Sequence, residues 1–233
     1  MALISAVIVA GGKGERMRAD IRKQYLMLDG ISILSRTLLA FTEISIIDKI
    51  YLVVPEKDFD FCTGRVIPSI DNKLPIQLVA GGENRQESVF NGLSAITDPG
   101  GIVVIHDGVR PFVPARQTEE AIAWAEKKGG CILGLPVVDT LKNVDNNGYV
   151  ANTMHRAGAW QAQTPQAFQY QLIKKAHDYA LDQGYTGTDD ASLVEYIGKR
   201  VKMIYGSPYN IKITKPEDLI IARGILNHVF SHV

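Results

Sequence analysis

The chain of 233 residues has only two cysteines, Cys62 and Cys131. They lie far apart, and no C-x-x-C spacing occurs, so a metal ribbon or a dithiol redox motif is excluded. Both read as buried packing residues. Net charge is missing too: 25 Lys and Arg balance 25 Asp and Glu. The basic excess of a generic nucleic-acid binder is therefore absent, although a neutral total still permits a local basic cleft. No apolar run approaches the ~18–20 residues of a transmembrane helix. No basic residue precedes the N-terminal apolar run, which makes it a poor signal peptide. The expectation is a reduced, cytoplasmic, soluble protein. Repeats and low-complexity tracts are lacking as well. Hydrophobic residues make up 46% and charged residues 21%, enough apolar surface to offset the entropy of ordering the chain.

Short β-branched runs alternate with longer helical stretches. Ser5–Val9, Ile50–Val54, Ile76–Val79, Ile102–Ile105 and Cys131–Leu135 are continuous apolar runs of strand length. Such runs suit strands covered on both faces. Between them lie helices at Ile33–Thr42, Gln86–Ile96 and Ala115–Lys127. Alternating elements of this kind predict an α/β sheet with helices on both faces. Residues 140–153 break the rhythm. Asp145-Asn146-Asn147-Gly148 is a strong turn signal between apolar positions, so a β-hairpin arm is expected to project from the sheet. A two-stranded ribbon is marginal alone, and a second copy of the chain would give it support. Further strands are expected at Trp160–Gln163, Val201–Tyr205 and Asn210–Ile213, with helices at Tyr170–Leu181, Asp190–Tyr196 and Pro216–His228. The expected organisation is a single domain over 1–233 with the arm at 137–158.

Chemistry concentrates at strand ends. Ala10, Gly11, Gly12, Lys13, Gly14 and Arg16 follow the first strand. Glycines let backbone N–H groups approach phosphates, and the cations add positive charge, as Lys23 does a little further on. The loop is neither G-x-x-x-x-G-K-[ST] nor G-x-G-x-x-G, so an ATPase-type P-loop is excluded and dinucleotide binding is weakly supported. The same glycines would equally serve a tight turn with no ligand. Asp107 and Arg110 follow strand Ile102–Ile105, where ligands of open α/β sheets collect. An Asp there can hold Mg²⁺ or cap a turn, and His106 reads as a packing histidine. Gly82, Arg85 and Ser88 form a further polar loop, with Arg85 offering a fork of donors. Lys212 lies in an apolar stretch and needs an anionic partner. Asp139, Thr140, Arg156, Gln163, Thr164 and Gln166 complete the candidates, each of which also suits a surface or turn role.

Taken in order, Ala10-Gly11-Gly12-x-Gly14-x-Arg16-Met17, Lys23-Gln24-Tyr25, Gly81-Gly82…Arg85…Ser88, His106-Asp107-Gly108-x-Arg110-Pro111, Pro136-Val137-x-Asp139-Thr140, Gln163-Thr164-Pro165-Gln166, Thr188-Asp189-Asp190-Ala191-Ser192 and Asn210-Ile211-Lys212 resemble the 2-C-methyl-D-erythritol 4-phosphate cytidylyltransferases. The resemblance runs from about residue 5 to 225. It implies a Rossmann-like nucleotidyltransferase sheet, mostly parallel, whose β-arm embraces a partner in a homodimer. The implied reaction joins CMP from CTP to the polyol phosphate, releases pyrophosphate, uses Mg²⁺ and serves non-mevalonate isoprenoid biosynthesis.

The resemblance also implies residue roles. Ala10, Gly11, Gly12 and Gly14 would line the nucleotide, and Gly82, Arg85 and Ser88 would hold its base and ribose. Arg16 and Lys23 would neutralise the triphosphate, and Asp107 would hold the metal. Lys212 and Arg156 would position the acceptor, with Arg110, Asp139, Thr140 and Thr164 as further substrate contacts. Thr140 and Arg156 would act in the partner's site. Two departures stand out. Tyr209 occupies a position where many relatives carry an acid, and the loop reads Ala-Gly-Gly rather than Ala-Ala-Gly. Ribitol 5-phosphate as acceptor is the neighbouring alternative, and a catalytically silent nucleotide-binding module is the alternative of another class.

Overall fold

The computed structural model describes residues 3–12, 22–70 and 74–229. Its first strand, β1 (Ile4–Val9), explains why the strand runs show no polar alternation. Ala6 and Ile8 enter one buried cluster and Val7 and Val9 the other, so both faces of the strand are apolar by requirement.

A two-residue-stranded hairpin, β2 (Met27–Leu28) and β3 (Ile31–Ser32), turns through Asp29 and Gly30, which have φ of 51° and 87°. Helix α1 (Ile33–Thr42) begins where the Ser32 hydroxyl accepts the Ser35 N–H at 3.0 Å, satisfying one of the free donors of the first turn. Next come β4 (Lys49–Val54), a run of short helical turns that includes α2 (Phe59–Phe61), β5 (Ile76–Ala80), α3 (Arg85–Ser94), β6 (Ile102–Asp107), α4 (Ala115–Lys128) and β7 (Gly130–Pro136). The arm strands are β8 (Lys142–Val144) and β9 (Val150–Thr153). They are followed by β10 (Trp160–Gln169), α5 (Tyr170–Asp182), α6 (Asp190–Tyr196), β11 (Lys202–Tyr205) and α7 (Pro216–Val229).

The main sheet has seven strands in the order β11-β7-β10-β6-β1-β4-β5. Only β10 runs antiparallel, and it does so to both of its neighbours. Helices α1 and α4 cover one face through Leu34, Leu38, Phe41, Ala121 and Ile122. Helices α3, α5 and α6 cover the other through Val89, Leu93, Ile173 and Val194. Each of the Leu, Ile, Val and Phe side chains among them, fully buried, contributes about 1.5–3 kcal/mol. A third cluster seats α7 against Leu28, Ile33, Val109 and Phe112. The helices-on-both-faces expectation therefore holds, and both cysteines are buried.

Two expectations need correction. The strand at Trp160–Gln163 continues to Gln169. Pro165 has no N–H to give a ladder, and it falls at a register shift between Gln163 and Gln166, where no ladder bond is required. Conversely, Asn210–Ile213 is not a strand. Ile211 and Ile213 pack into the α7 cluster, and the segment's backbone bonds to the turn after β6 through Ile213 N–H and the Val109 carbonyl at 2.9 Å.

The hairpin is present. Its turn is built on Asp145, whose carboxylate accepts the N–H groups of Asn147 and Tyr149, with Gly148 at φ 86°. Both arm strands are exposed along their length.

Candidate active site

The carboxyl ends of β1, β4, β5 and β6 lie side by side and open onto one cleft of ≈ 1060 Å³, the usual position for a ligand in an open α/β sheet. Its wall includes Ala10, Gly11 and Gly12 after β1, Arg22, Lys23 and Gln24 ahead of β2, Gly82 to Arg85 after β5, Asp107 ending β6, and Lys212.

Asp107 is the electrostatic centre. Its Oδ1 accepts from Arg85 Nε at 3.0 Å, its Oδ2 lies 2.8 Å from Lys212 Nζ, and Arg110 Nε stands 3.7 Å from Oδ2. Burial pushes this carboxyl upward, but Arg85 and Lys212 outweigh it and hold the group well below the usual carboxylate range. Arg85, the first residue of α3, also donates through Nη2 to Asp190 at 2.8 Å, and Asp190 in turn meets His177 Nε2 at 3.3 Å. Burial draws Arg85 down, yet the two acids more than reverse it, so its guanidinium stays charged.

A polar scaffold sits behind Asp107. The Thr164 Oγ1 accepts the Asp107 N–H at 3.2 Å and lies 2.9 Å from His106 Nδ1. The Arg110 carbonyl beside Nε2 can only accept, so in the neutral ring the proton sits on Nε2 and the bare Nδ1 accepts from the Thr164 hydroxyl. That leaves the Nε2–H to donate to the Arg110 carbonyl at 3.0 Å. Burial pushes His106 down to about 3, against a smaller opposing pull from the Arg110 carbonyl. The residue is thus neutral and structural, as its packing reading anticipated. The Asn210 Nδ2 donates to the Thr164 carbonyl at 2.7 Å while the Asn210 carbonyl accepts from Arg110 Nη1 at 2.7 Å, which fixes the loop that presents Lys212.

The glycine loops are shaped by their neighbours. Ser88 Oγ donates to the Asn84 carbonyl at 2.8 Å and accepts the Gly82 N–H at 3.1 Å, folding the loop after β5 onto α3. A Cβ at Gly108 would lie 2.9 Å from both Ala10 Cβ and Leu34 Cδ1, so the bareness of that residue lets the turn after Asp107 press against β1. Gln24 Nε2 donates to the Ala10 carbonyl at 2.6 Å, tying the Lys23 segment to the first loop. Arg22 was not singled out from the sequence, yet its guanidinium lines the cleft, 3.4 Å from Asp58 Oδ2. The signal that could have found it was its position next to Lys23.

The chain matches the family model of 2-C-methyl-D-erythritol 4-phosphate cytidylyltransferase over residues 4–228. The chain belongs to this family. It is 47% identical over 225 residues to the 2-C-methyl-D-erythritol 4-phosphate cytidylyltransferase of Syntrophotalea carbinolica, covering 96% of each chain. It is 43% identical over 230 residues to that of Geotalea uraniireducens, covering 98% of each. Among solved structures, the 4-diphosphocytidyl-2C-methyl-D-erythritol synthase of Anaerococcus prevotii matches with a TM-score of 0.85 at 33% identity, over 97% of both chains. The mostly parallel sheet with helices on both faces is the architecture of these structures.

As a cytidylyltransferase, the chain brings Ala10, Gly11, Gly12, Lys23, Gly82, Arg85, Ser88, Asp107 and Lys212 around one cleft. Gly14 and Arg16 lie outside the described residues. Arg110 and Thr164, expected to touch substrate, instead stand behind Asp107: Thr164 is buried and Arg110 is bonded to Asn210. Asp139, Thr140 and Arg156 lie on or beside the exposed arm and do not line this cleft in their own chain. Tyr209 is half-exposed, so its position supplies a phenol rather than a second carboxylate.

Proposed function

We propose that this cleft carries out the reaction of the cytidylyltransferase family: CMP passes from CTP to 2-C-methyl-D-erythritol 4-phosphate, giving 4-diphosphocytidyl-2-C-methyl-D-erythritol and pyrophosphate for isoprenoid synthesis. The observation that carries this reading is that Lys23, Lys212, Arg22 and Arg85 line one cleft together with the ionised Asp107, at the glycine-lined ends of four neighbouring strands. Two anionic reactants repel each other, so positioning and charge neutralisation do most of the work.

The acceptor's phosphate oxygen forms a bond to the α-phosphorus as the bond to the β-phosphate oxygen breaks, and pyrophosphate leaves with that electron pair. Ala10, Gly11, Gly12 and Gly14 line the nucleotide, with Gly82, Arg85 and Ser88 about its base and ribose. Lys23 and Arg16 neutralise charge that develops at the α-phosphorus. Lys212 orients the acceptor phosphate. Arg156 and Thr140 reach the acceptor from the arm of a second copy, which makes 137–158 the dimerisation element of a single-domain chain. Arg110 and Thr164 contribute by holding Asp107 and the Lys212 loop in place. Asp139, beside the arm, completes the acceptor contacts.

Among the described residues no group of three or more His, Cys, Asp or Glu forms a metal cage. The donor set nevertheless fits Mg²⁺, which takes oxygen ligands and is commonly held by one or two carboxylates plus substrate phosphates and water. Asp107 would hold it, and the ion would neutralise phosphate charge. No helix among the described residues is long and apolar enough to cross a membrane, and the water-soluble substrates suit a cytoplasmic setting.

The test is to incubate the chain with CTP and Mg²⁺ plus either 2-C-methyl-D-erythritol 4-phosphate or ribitol 5-phosphate and follow pyrophosphate. Release with the first acceptor is expected. Turnover of ribitol phosphate alone would overturn the acceptor assignment. Release with neither would favour a silent nucleotide-binding module.

A further inference from the structure

Among the described residues, Arg22 is the cleft arginine that the other described side chains engage least. Arg85 spends Nε on Asp107 and Nη2 on Asp190. Arg110 gives Nη1 to the Asn210 carbonyl and faces Asp107 with Nε. Both mainly neutralise acids belonging to the fold. Arg22 differs. Its acid partner, Asp58, is 3.4 Å from Nε, and the same Oδ2 of Asp58 already accepts the Tyr25 hydroxyl at 2.9 Å. Among the described residues its other contact is a long 3.5 Å approach of Nη1 to the Gly11 carbonyl. A guanidinium carries five N–H donors in a planar fork, and among the described residues the contacts of Arg22 engage only Nε and, at the limit of a hydrogen bond, Nη1, leaving the Nη2 donors for something else. What lies beyond is the glycine-lined cleft, which Arg22 itself helps to wall.

The local backbone makes this a built arrangement. The Arg22 carbonyl accepts the Tyr25 N–H at 2.9 Å, Tyr25 is buried against Phe61 with ring centroids 4.7 Å apart, and Gln24 is tied to the Ala10 carbonyl. Asp58 approaches from the turn after β4 and reaches both Arg22 and Tyr25, yet it does not line the cleft.

The geometry points to Arg22 as a binding residue for the polyphosphate of the nucleotide, with Asp58 as the positioning residue that aims it. This rests on the reading that the cleft takes CTP. The planar fork matches phosphate oxygens two at a time, which a lysine cannot do.

The test uses the full chain and the variants Arg22→Ala, Arg22→Lys and Asp58→Asn. Loss of a charge-assisted contact predicts that Arg22→Ala raises the KM for CTP about ten- to hundredfold and weakens inhibition by pyrophosphate to match. The KM for the polyol phosphate should stay nearly unchanged. Arg22→Lys, which keeps the charge and loses the fork, should fall between. Asp58→Asn should raise the KM for CTP several-fold in the parent chain and add nothing in the Arg22→Ala background. Equal effects of Asp58→Asn in both backgrounds would show a merely structural acid and overturn its assigned role. Unchanged KM for CTP and unchanged pyrophosphate inhibition in Arg22→Ala would overturn the proposal, as would a shift confined to the acceptor. Calorimetry with pyrophosphate alone gives the same comparison without turnover. A parent chain that binds pyrophosphate through Arg22 but turns over no CTP would leave this inference standing while the functional reading fell.

Discussion

At the scale of single residues, the site divides into side chains that face the cleft and side chains that hold them. Lys23 belongs to the first group, and Lys23→Ala is expected to lower kcat by roughly 10²–10³, the scale of losing one donor that stabilises the transition state; steady-state kinetics at saturating CTP and acceptor would check this. His106 belongs to the second. Its neutral form is the one the fold accepts, since burial pushes it down to about 3, whereas in the unfolded chain it titrates near ~6.5. Above that pH it leaves stability unaffected. As the pH falls from there toward 3, the unfolded chain takes up a proton that the folded chain refuses, and stability is lost. The loss amounts to about 2 kcal/mol by pH 5. Urea unfolding at pH 7 and pH 5 should show this difference in the parent chain and a smaller one in His106→Gln, whose amide can make both hydrogen bonds without titrating. Asp107 and Arg85 were legible as charged residues beside strand-end glycines, and Lys212 as a charge in an apolar stretch that needs an anionic partner. Arg22 was not, because a lone arginine before Lys-Gln-Tyr looks like any solvated residue until Asp58, 36 positions later, is seen to hold it.

At the scale of elements, most strands were visible because two-sided burial leaves an unbroken apolar run. The second half of β10 was hidden. Gln163, Thr164, Pro165 and Gln166 are a polar, proline-bearing stretch, and only the tertiary structure explains why they sit in a sheet. Their side chains carry the scaffold: Gln163 exchanges two hydrogen bonds with Ser207, Thr164 backs Asp107, and Gln166 bridges to Asp189 and the Ala191 N–H. The reverse holds at Asn210–Ile213, expected as a strand, whose apolar side chains Ile211 and Ile213 serve the α7 cluster instead of a sheet. The loop after β5 depends on one hydroxyl. Removing it in Ser88→Ala frees the Gly82 N–H and should raise the KM for CTP about fivefold, the equivalent of ~1 kcal/mol for a typical hydrogen bond, with kcat little changed. CTP saturation curves would reveal it; an effect on kcat alone would mean that the loop acts on chemistry rather than on binding.

At the scale of the whole molecule, the arm sets the question of how many chains build a site. If Arg156 serves the partner, inactive Lys23→Ala and inactive Arg156→Ala chains should regain part of their activity when mixed, because one of the two hybrid sites then has both residues. Pyrophosphate release after verified subunit exchange is the measurement, and no recovery would place a complete site within one chain. The sheet order has a separate consequence for synthesis. Strands β6 and β7 are consecutive along the chain but stand apart in the sheet, with β10 between them. A nascent chain that has not yet emerged past residue 160 therefore presents two facing, unpaired backbone edges, both on strands that the finished fold buries along most of their length. Open edges of this kind invite pairing with other chains. The vulnerable interval on the ribosome is the one spent translating the exposed arm, and shielding by a chaperone matters most while that gap waits for its missing strand.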